Sequence, residues 1–380
     1  MPPAEVIRLP GGLTPERFLA TCWQKRPAFL PGALPGFRPP LTIDEIAGLA
    51  CEAEVESRLV TTHRNGKTVR YQAETGPFRA SRLAALPDRD WTLLVHDIDR
   101  QLPELRPLLF APRFLPAWRM GDLMVSVAAP GGSVGPHRDS YDVFLLQGDG
   151  HRRWQVGDGT RPRDESGLRL LADFQPDDEW DCHAGDVLYV PPGVGHHGVA
   201  STLCTTWSLG LQAPQLRDLA VYIGVDQEAD PGGGRYADPD LTIDEVRGGV
   251  IAPAAVRRCR EALALNGDTS DDEIAEALGR LLTMPKPAHR PMPPGGDEAD
   301  HLLSVARRGR PLRPTEACAC YESADGDGGV LFIAGESFAT DAEAWPLALR
   351  LSHPDAAAGT SVSDVLPGSS AEALLGILCR

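Results

Sequence analysis

The 380-residue sequence lacks several features that would assign it to a specialised class of protein. No apolar run approaches the roughly 18 residues of a membrane-spanning helix. The first residues show no basic stretch followed by an apolar one, as a secretory signal does. The eight cysteines are scattered and form no Cys-x-x-Cys pair, which disfavours a zinc ribbon. We therefore expect a reduced cytoplasmic protein with no membrane contact.

Positive charge is also scarce. Lysine and arginine number 37 against 53 aspartates and glutamates, and the formal net charge is −16. A protein that binds nucleic acid through the phosphate backbone needs a basic face, so direct DNA binding is not expected. The acidity is compatible with a basic macromolecular partner, although surface acidity more often serves solubility.

Glycine (39 residues) and proline (35) are, by contrast, abundant. The composition is still that of a globular protein, with 42% hydrophobic and 24% charged residues. The excess of turn-forming residues predicts many short elements, and the length predicts two or three domains.

The texture of the sequence changes twice along the chain. Residues up to about 85 are mixed, with helix starts at Thr14-Pro15 and at the capping box formed by Thr42 and Glu45. Between residues 91 and 212, short apolar runs alternate with Gly/Pro turns, which is typical of an antiparallel barrel or double-sheet sandwich. The predicted strands are 122–129, 141–147, 152–156, 187–190 and 205–211. Residues 157–168 and 171–182 are predicted to be loops that shape an entrance.

Beyond residue 214 the pattern is helical. Helices are predicted at 254–265 and after Ser270, where Glu273 completes a capping box. The proline-rich segment 284–296 reads as a stiff linker, and 230–240 as a loop. Together these features predict a mixed α+β chain with three domains: 1–214, 215–285 and 286–380.

Two motifs carry the chemistry. The first is GPHRD at 135–139, and the second is PPGVGHH at 191–197. His137 and Asp139 lie two residues apart, so on a strand or its extension they point the same way. A histidine from a distant strand would complete a set of two imidazoles and one carboxylate, as in non-heme Fe(II) oxygenases. The alternative is that these are loop histidines that only form hydrogen bonds.

In these motifs the chain resembles the bacterial JmjC-type ribosomal oxygenases, and within them the branch that hydroxylates an arginine of a large-subunit ribosomal protein. The resemblance covers the first 215 residues well, and the rest matches only in layout. The matching segments are WQKRP (23–27), EVESRLV (54–60), GPF (76–78), GPHRD (135–139), YDVF (141–144), RRW (152–154) and PPGVGH (191–196).

The resemblance implies a cupin-like double-stranded β-helix core, a helical dimerisation module and a C-terminal winged-helix-like domain. It also implies Fe(II) as the metal, 2-oxoglutarate as the co-substrate and a homodimer. His137, Asp139 and His196 stand at the family's iron-ligand positions. His197 stands where many members carry an acidic residue, and we expect it beside the ligands rather than among them.

The distal carboxylate of 2-oxoglutarate needs a cation in a dry pocket, and an arginine suits that role through paired hydrogen bonds. Arg152 stands at the family's position, although it could also be a solvated residue after a turn. Ser126 is expected to help, since its hydroxyl can donate to the carboxylate. Arg153 should face the opposite way, because side chains alternate along a strand.

The same alternation outlines a substrate pocket. Asp122 and Met124 share a face with Ser126, and Tyr141 shares one with the candidate ligands. A carboxylate, a thioether and an aromatic ring suit a guanidinium guest. These positions correspond to the family's arginine-binding residues. As alternatives, Met124 could be ordinary core and Asp122 could cap the 118–121 turn.

The sequence thus predicts an Fe(II)- and 2-oxoglutarate-dependent hydroxylase of an arginine in a 50S ribosomal protein. Three alternatives stay open: a histidine hydroxylase of ribosomal proteins, an iron-dependent demethylase and a non-catalytic metal-binding cupin. The pair Asp122 and Tyr141 disfavours the first, because an imidazole needs no carboxylate partner there.

Overall fold

The computed structural model describes residues 6–66, 68–225, 234–286, 296–324 and 326–379. The chain forms two compact units. The N-terminal unit comprises Glu5–Leu109 and Gly121–Leu211, and the C-terminal unit comprises Phe110–Met120 and Gln212–Arg380. Most of the predicted linker at 284–296, and part of the predicted loop at 230–240, lie outside the described residues. Within the described ranges, no helix is both long and apolar enough to span a membrane.

The N-terminal unit is built mainly of strands. Its helices are α1 (Pro15–Thr21), α2 (Ile43–Leu49), α3 (Ala80–Ala84), α4 (Ile98–Gln101) and α5 (Arg106–Leu109). Its strands are β1 (Ala28–Leu30), β2 (Ser57–Asn65), β3 (Thr68–Thr75), β4 (Trp91–Val95), β5 (Met120–Ala128), β6 (His137–Arg138), β7 (Val143–Gln147), β8 (Arg152–Asp158), β9 (Pro162–Glu165), β10 (Leu168–Leu171), β11 (Gln175–Cys182), β12 (Val187–Val190), β13 (Gly195–Ala200) and β14 (Cys204–Leu211).

These strands form two antiparallel sheets. The eight-stranded sheet has the order β1-β12-β7-β14-β5-β4-β2-β3, and the six-stranded sheet has the order β11-β8-β13-β6-β10-β9. Strands β7, β12 and β14 are buried along their whole length. The predicted cupin-like arrangement of mixed helices and antiparallel sheets is confirmed.

The predicted helix starts are confirmed by their caps. Thr14 accepts a hydrogen bond from the Arg17 amide at 3.3 Å, with proline at the first position of α1. At α2, Thr42 and Glu45 form a reciprocal capping box. Each cap satisfies amides that the first helical turn leaves without partners, which is why these local signals suffice to predict a helix start.

The two predicted loops are wrong in part. Residues 157–168 and 171–182 contain β9 and β11, and β10 lies between them. Strand β11 pairs with β8 from Gln175 opposite Asp158 to Cys182 opposite Arg152. Because β11 is exposed along most of its length, it carries no apolar alternation that a sequence could reveal. This segment is a strand because it pairs with the neighbouring strand β8.

The strand predicted at 141–147 also starts later than expected. Strand β6 ends at Arg138, and β7 begins at Val143 in the other sheet. The intervening residues 139–142 cross from the six-stranded to the eight-stranded sheet. Tyr141 therefore lies on this crossing, and its side-chain direction does not follow from strand alternation.

The C-terminal unit combines helices with a small sheet. Its elements are α6 (Leu216–Ile223), α7 (Pro253–Ala262), α8 (Asp271–Thr283), α9 (Gly296–Arg307), β15 (Cys318–Glu322), β16 (Gly328–Ile333), β17 (Glu336–Asp341), α10 (Trp345–Ser352) and α11 (Ser370–Leu378). The predicted capping box of Ser270 and Glu273 starts α8. A Cβ on Gly279 of α8 would lie 2.3 Å from the Phe332 ring, so this helix packs directly on β16. The three-domain division stays a prediction.

Candidate active site

Three side chains converge inside the six-stranded sheet. His137 on β6 and His196 on β13 are directly opposite each other in an antiparallel pair, with ring centroids 4.2 Å apart. Asp139 follows β6, and its Oδ2 lies 3.5 Å from His196 Nε2. One ligand atom from each of the three residues lies within 4.8 Å of the others. The donor set of two imidazoles and one carboxylate fits a divalent metal ion with open positions.

Backbone carbonyls fix both imidazole rings. His137 Nδ1 lies 2.9 Å from the Gly135 carbonyl oxygen, and His196 Nδ1 lies 3.2 Å from that of Val194. A carbonyl can only accept, so each Nδ1 carries the proton and donates it. The Nε2 atoms are then left with their lone pairs, which is the tautomer that a metal ligand needs.

Burial keeps the second histidine neutral. His196 is 2% exposed, and burial lowers its pKa to about 4, helped by the nearby His137 and opposed by the Asp139 carboxylate. At neutral pH this imidazole is uncharged and available to a cation.

His197 occupies a different environment from His196. Its ring meets Phe174 edge-on at 6.2 Å, and within the described residues its buried Nε2 has no hydrogen-bond partner. Burial, as the largest cause, lowers its pKa to about 4. The group of potential ligands contains His196 and not His197.

A buried cation lies on β8, the strand that pairs with the His196 strand β13. Arg152 on β8 is 5% exposed, and its Nη1 donates to Ser126 Oγ on β5 at 3.4 Å. Among the described residues, Arg152 Nε and Nη2 have no hydrogen-bond partner. A guanidinium buried without a countercharge is costly, so the arrangement suits a carboxylate guest. The neighbouring Arg153 is exposed, as strand alternation predicts.

The residues predicted to bind the substrate are more open. Asp122 and Met124 on β5 are half-buried, and Tyr141 on the crossing is 38% exposed. A Cβ on Gly210 of β14 would lie 2.7 Å from Asp122 Oδ1, so only glycine leaves room for this carboxylate. The structure thus brings together the three candidate ligands, and separately Arg152 with Ser126. The substrate roles stay predictions.

Trp154 is a residue of the site to which the sequence assigned no role. Its ring lies under the Arg152 guanidinium at 5.6 Å and 6.0 Å from the His196 ring. A Cβ on Gly198 would come within 2.7 Å of it, so the indole packs tightly. Strand alternation in RRW (152–154) is the signal that places Trp154 beside Arg152.

Comparison with known proteins agrees with this geometry. Residues 107–219 match the JmjC domain. The ribosomal protein uL16 3-hydroxylase of Escherichia coli is 39% identical to this chain over 228 residues. That alignment covers 59% of this chain and spans only 60% of the relative's length.

Solved structures extend the likeness over nearly the whole chain. YcfD, a ribosomal oxygenase from Escherichia coli, superimposes with a TM-score of 0.69 at 30% identity, covering 98% of this chain and 97% of YcfD. A second YcfD structure, in complex with cobalt and 2-oxoglutarate, gives a TM-score of 0.64 at 31% identity, with 88% and 87% covered. The fold and the matched JmjC region define a protein of the JmjC class. The chain belongs to the JmjC ribosomal oxygenase family.

Proposed function

We propose that the chain is an Fe(II)- and 2-oxoglutarate-dependent hydroxylase that acts on an arginine side chain of a large-subunit ribosomal protein. The proposal rests on two features that lie on paired strands of the six-stranded sheet, β13 and β8. One is the convergence of His137, Asp139 and His196, and the other is the Arg152 guanidinium, buried with unpaired nitrogens.

The residues fit both proposed groups. His137, Asp139 and His196 would hold Fe(II), because two imidazoles and a carboxylate are the donor set of a facial triad. Arg152 and Ser126 would hold the distal carboxylate of 2-oxoglutarate through charge-assisted hydrogen bonds. When bound, the iron and 2-oxoglutarate together activate O2 and so allow oxidation of an unactivated C–H bond.

The protein's own residues orient and enclose the reactants. The carbonyls of Gly135 and Val194 hold the ligand rings in one tautomer. Asp122 would pair with a substrate guanidinium, Tyr141 would stack on it, and Met124 would give it apolar contact.

The choice of substrate rests on likeness and on charge. A related protein bears the name ribosomal protein uL16 3-hydroxylase. The net charge of −16 suits a basic ribosomal partner. The half-buried carboxylate of Asp122 favours arginine over histidine, since a neutral imidazole gains no ion pair from it.

We also propose the family's layout for the rest of the chain. Residues 215–285 would form a helical dimerisation module, and 286–380 a winged-helix-like domain without direct DNA binding. The exposed Val221 (57%) and Tyr222 (40%) on α6 support a homodimer, because large apolar side chains exposed side by side often mark a contact surface. Light scattering in solution tests this. A cytoplasmic location follows from a ribosomal substrate.

The enzymatic test incubates the purified protein with Fe(II), 2-oxoglutarate, O2 and recombinant uL16, with assays for succinate and peptide mass. A one-oxygen mass gain on an arginine, dependent on all three small reactants, is the expected result. The same gain on a histidine would instead make the protein a histidine hydroxylase. Release of formaldehyde from methylated peptides would indicate a demethylase. Metal binding without any turnover would indicate a non-catalytic cupin.

A further inference from the structure

The crossing at residues 139–142 holds two side chains of the proposed site outside any strand ladder. It carries Asp139, a candidate ligand, and Tyr141, which is 38% exposed. Backbone hydrogen bonds hold both ends of the crossing: the Asp139 carbonyl accepts from the Gly193 amide at 2.8 Å, and the Asp142 carbonyl accepts from the Leu211 amide at 2.9 Å. Asp142, which directly follows Tyr141, is therefore one of the points at which the crossing is held.

A closed ring of hydrogen bonds holds the Asp142 side chain. Asp142 is 0% exposed, and its Oδ1 accepts from the Tyr189 hydroxyl at 2.5 Å. Its Oδ2 accepts from Gln24 Nε2 at 2.8 Å. The Tyr189 hydroxyl oxygen in turn accepts from the backbone amide of Gln24 at 2.8 Å. Both carboxylate oxygens and the hydroxyl are thus satisfied without water, which makes the ring stiff.

Tyr189 and Gln24, which donate to Asp142, are themselves held in place. Tyr189 packs among Phe18 at 5.2 Å, Phe144 at 4.9 Å and Trp23 at 5.9 Å between ring centroids. Gln24 has φ +51°, a left-handed conformation that non-glycine residues rarely adopt. That conformation directs both its amide and its side chain to the ring, and strain of this kind persists where a structure needs it.

We propose that Asp142 is a positioning residue, which anchors the 139–142 crossing and so sets Tyr141 and Asp139 for the reaction. This inference rests on the proposed function. The contact joins WQKRP (23–27) to YDVF (141–144), which lie far apart in the sequence: Gln24 of the first segment donates to Asp142 of the second.

Substitutions at Asp142 separate its roles. Asp142→Ala removes the carboxylate that accepts from the Tyr189 hydroxyl and from the Gln24 side-chain amide. Asp142→Asn keeps the shape, and a flip of the Gln24 amide lets its Oε1 accept from the new NH2 group. Tyr189→Phe removes one hydroxyl and keeps the aromatic packing.

The experiment measures KM for the uL16 substrate, kcat and substrate-independent 2-oxoglutarate consumption. For Asp142→Ala we expect KM to rise about tenfold or more, with uncoupled consumption increased. Tyr189→Phe should raise KM about threefold to fivefold. Asp142→Asn should restore KM to within about threefold of the unsubstituted enzyme.

The control is Asp186→Asn, directly before β12, the strand that carries Tyr189. The Asp186 carboxylate also accepts two loop amides, from Gly32 at 2.7 Å and His183 at 2.8 Å, but it does not touch the crossing. It should change thermal stability without changing KM. If Asp142→Ala and Tyr189→Phe behave like this control, losing stability with KM unchanged, the positioning role is wrong.

A readout without turnover keeps this test independent of the proposed function. Co2+ binding, followed by its visible absorption, should weaken about threefold to tenfold in Asp142→Ala and stay unchanged in Asp186→Asn. If the unsubstituted protein hydroxylates no ribosomal substrate, the proposed function fails, and the Co2+ titration still decides the role of Asp142. Equal Co2+ affinity in Asp142→Ala and Asp186→Asn would then overturn the positioning role of Asp142.

Discussion

Among the described residues, each unit buries one arginine, and the two arginines are held in opposite ways. In the C-terminal unit, Arg119 is 0% exposed and pairs with the equally buried Asp238 at 3.7 Å. It also lies over the rings of Trp118 at 5.9 Å and Tyr236 at 5.3 Å. In the N-terminal unit, Arg152 meets a hydroxyl and an indole, and no carboxylate among the described residues.

The difference separates polar burial that serves the fold from polar burial that serves a guest. A buried charge that has its countercharge within the protein needs no guest, and removing one partner of the pair is costly because the other charge stays buried. A buried cation without one raises the free energy of the folded state until an anion binds. The variants below should therefore affect stability in one unit and ligand binding in the other.

The largest effect is expected for His196→Ala. Removing one of three ligands should weaken Co2+ binding by about a hundredfold or more and reduce 2-oxoglutarate turnover to background. Isothermal titration with Co2+ measures it. His197→Ala is the matched control and should keep the Co2+ affinity within about threefold. If the two variants exchange these results, the third ligand is His197.

Arg119→Met should destabilise the protein without a direct effect on the site. Loss of the guanidinium removes a buried countercharge of Asp238, which costs about 3–5 kcal/mol in the free energy of unfolding. Urea denaturation measures this cost. Adding Asp238→Asn should recover much of the lost stability, because the buried carboxylate charge of Asp238 is then removed. A stability loss below about 1 kcal/mol for Arg119→Met would show that the pair does not hold the C-terminal unit.

Arg152→Met should impair binding of 2-oxoglutarate without destabilising the protein. We expect KM for 2-oxoglutarate to rise about a hundredfold, because charge-assisted hydrogen bonds to its carboxylate are lost. The urea midpoint should stay the same or rise, since no countercharge is stranded. Arg153→Met on the exposed face of β8 is the control. An equal loss of stability in Arg152→Met and Arg119→Met would remove the distinction between the two arginines.

Gly210→Ala should give the smallest effect. The new methyl group would meet the Asp122 carboxylate at 2.7 Å and push it aside. We expect KM for uL16 to rise about tenfold while KM for 2-oxoglutarate stays constant. An unchanged KM for uL16 would argue against Asp122 as the partner of the substrate guanidinium.

The predictable part of the fold and the site rests on local signals. Capping boxes at Thr42 and Ser270 predicted helix starts, since a cap involves only residues three apart. Apolar runs predicted the strands now called β12 and β14, which are fully buried. Strand β11 was missed, because exposed acidic residues give no periodic pattern and only pairing with β8 makes it a strand.

The sequence by itself determined which residues could take part: the histidines and the carboxylate of its two motifs, an arginine pair and an excess of turn formers. The resemblance favoured His196 over His197 and Arg152 with Ser126, and the tertiary structure supplied the contacts, with His196 facing Asp139 and Arg152 donating to Ser126. Only the tertiary structure decided that Gln24 reaches Asp142. The physical reason is the distance along the sequence over which each kind of interaction acts. Periodicity and capping act within a few residues, whereas each of these contacts joins segments that lie far apart in the sequence and forms only when the chain folds.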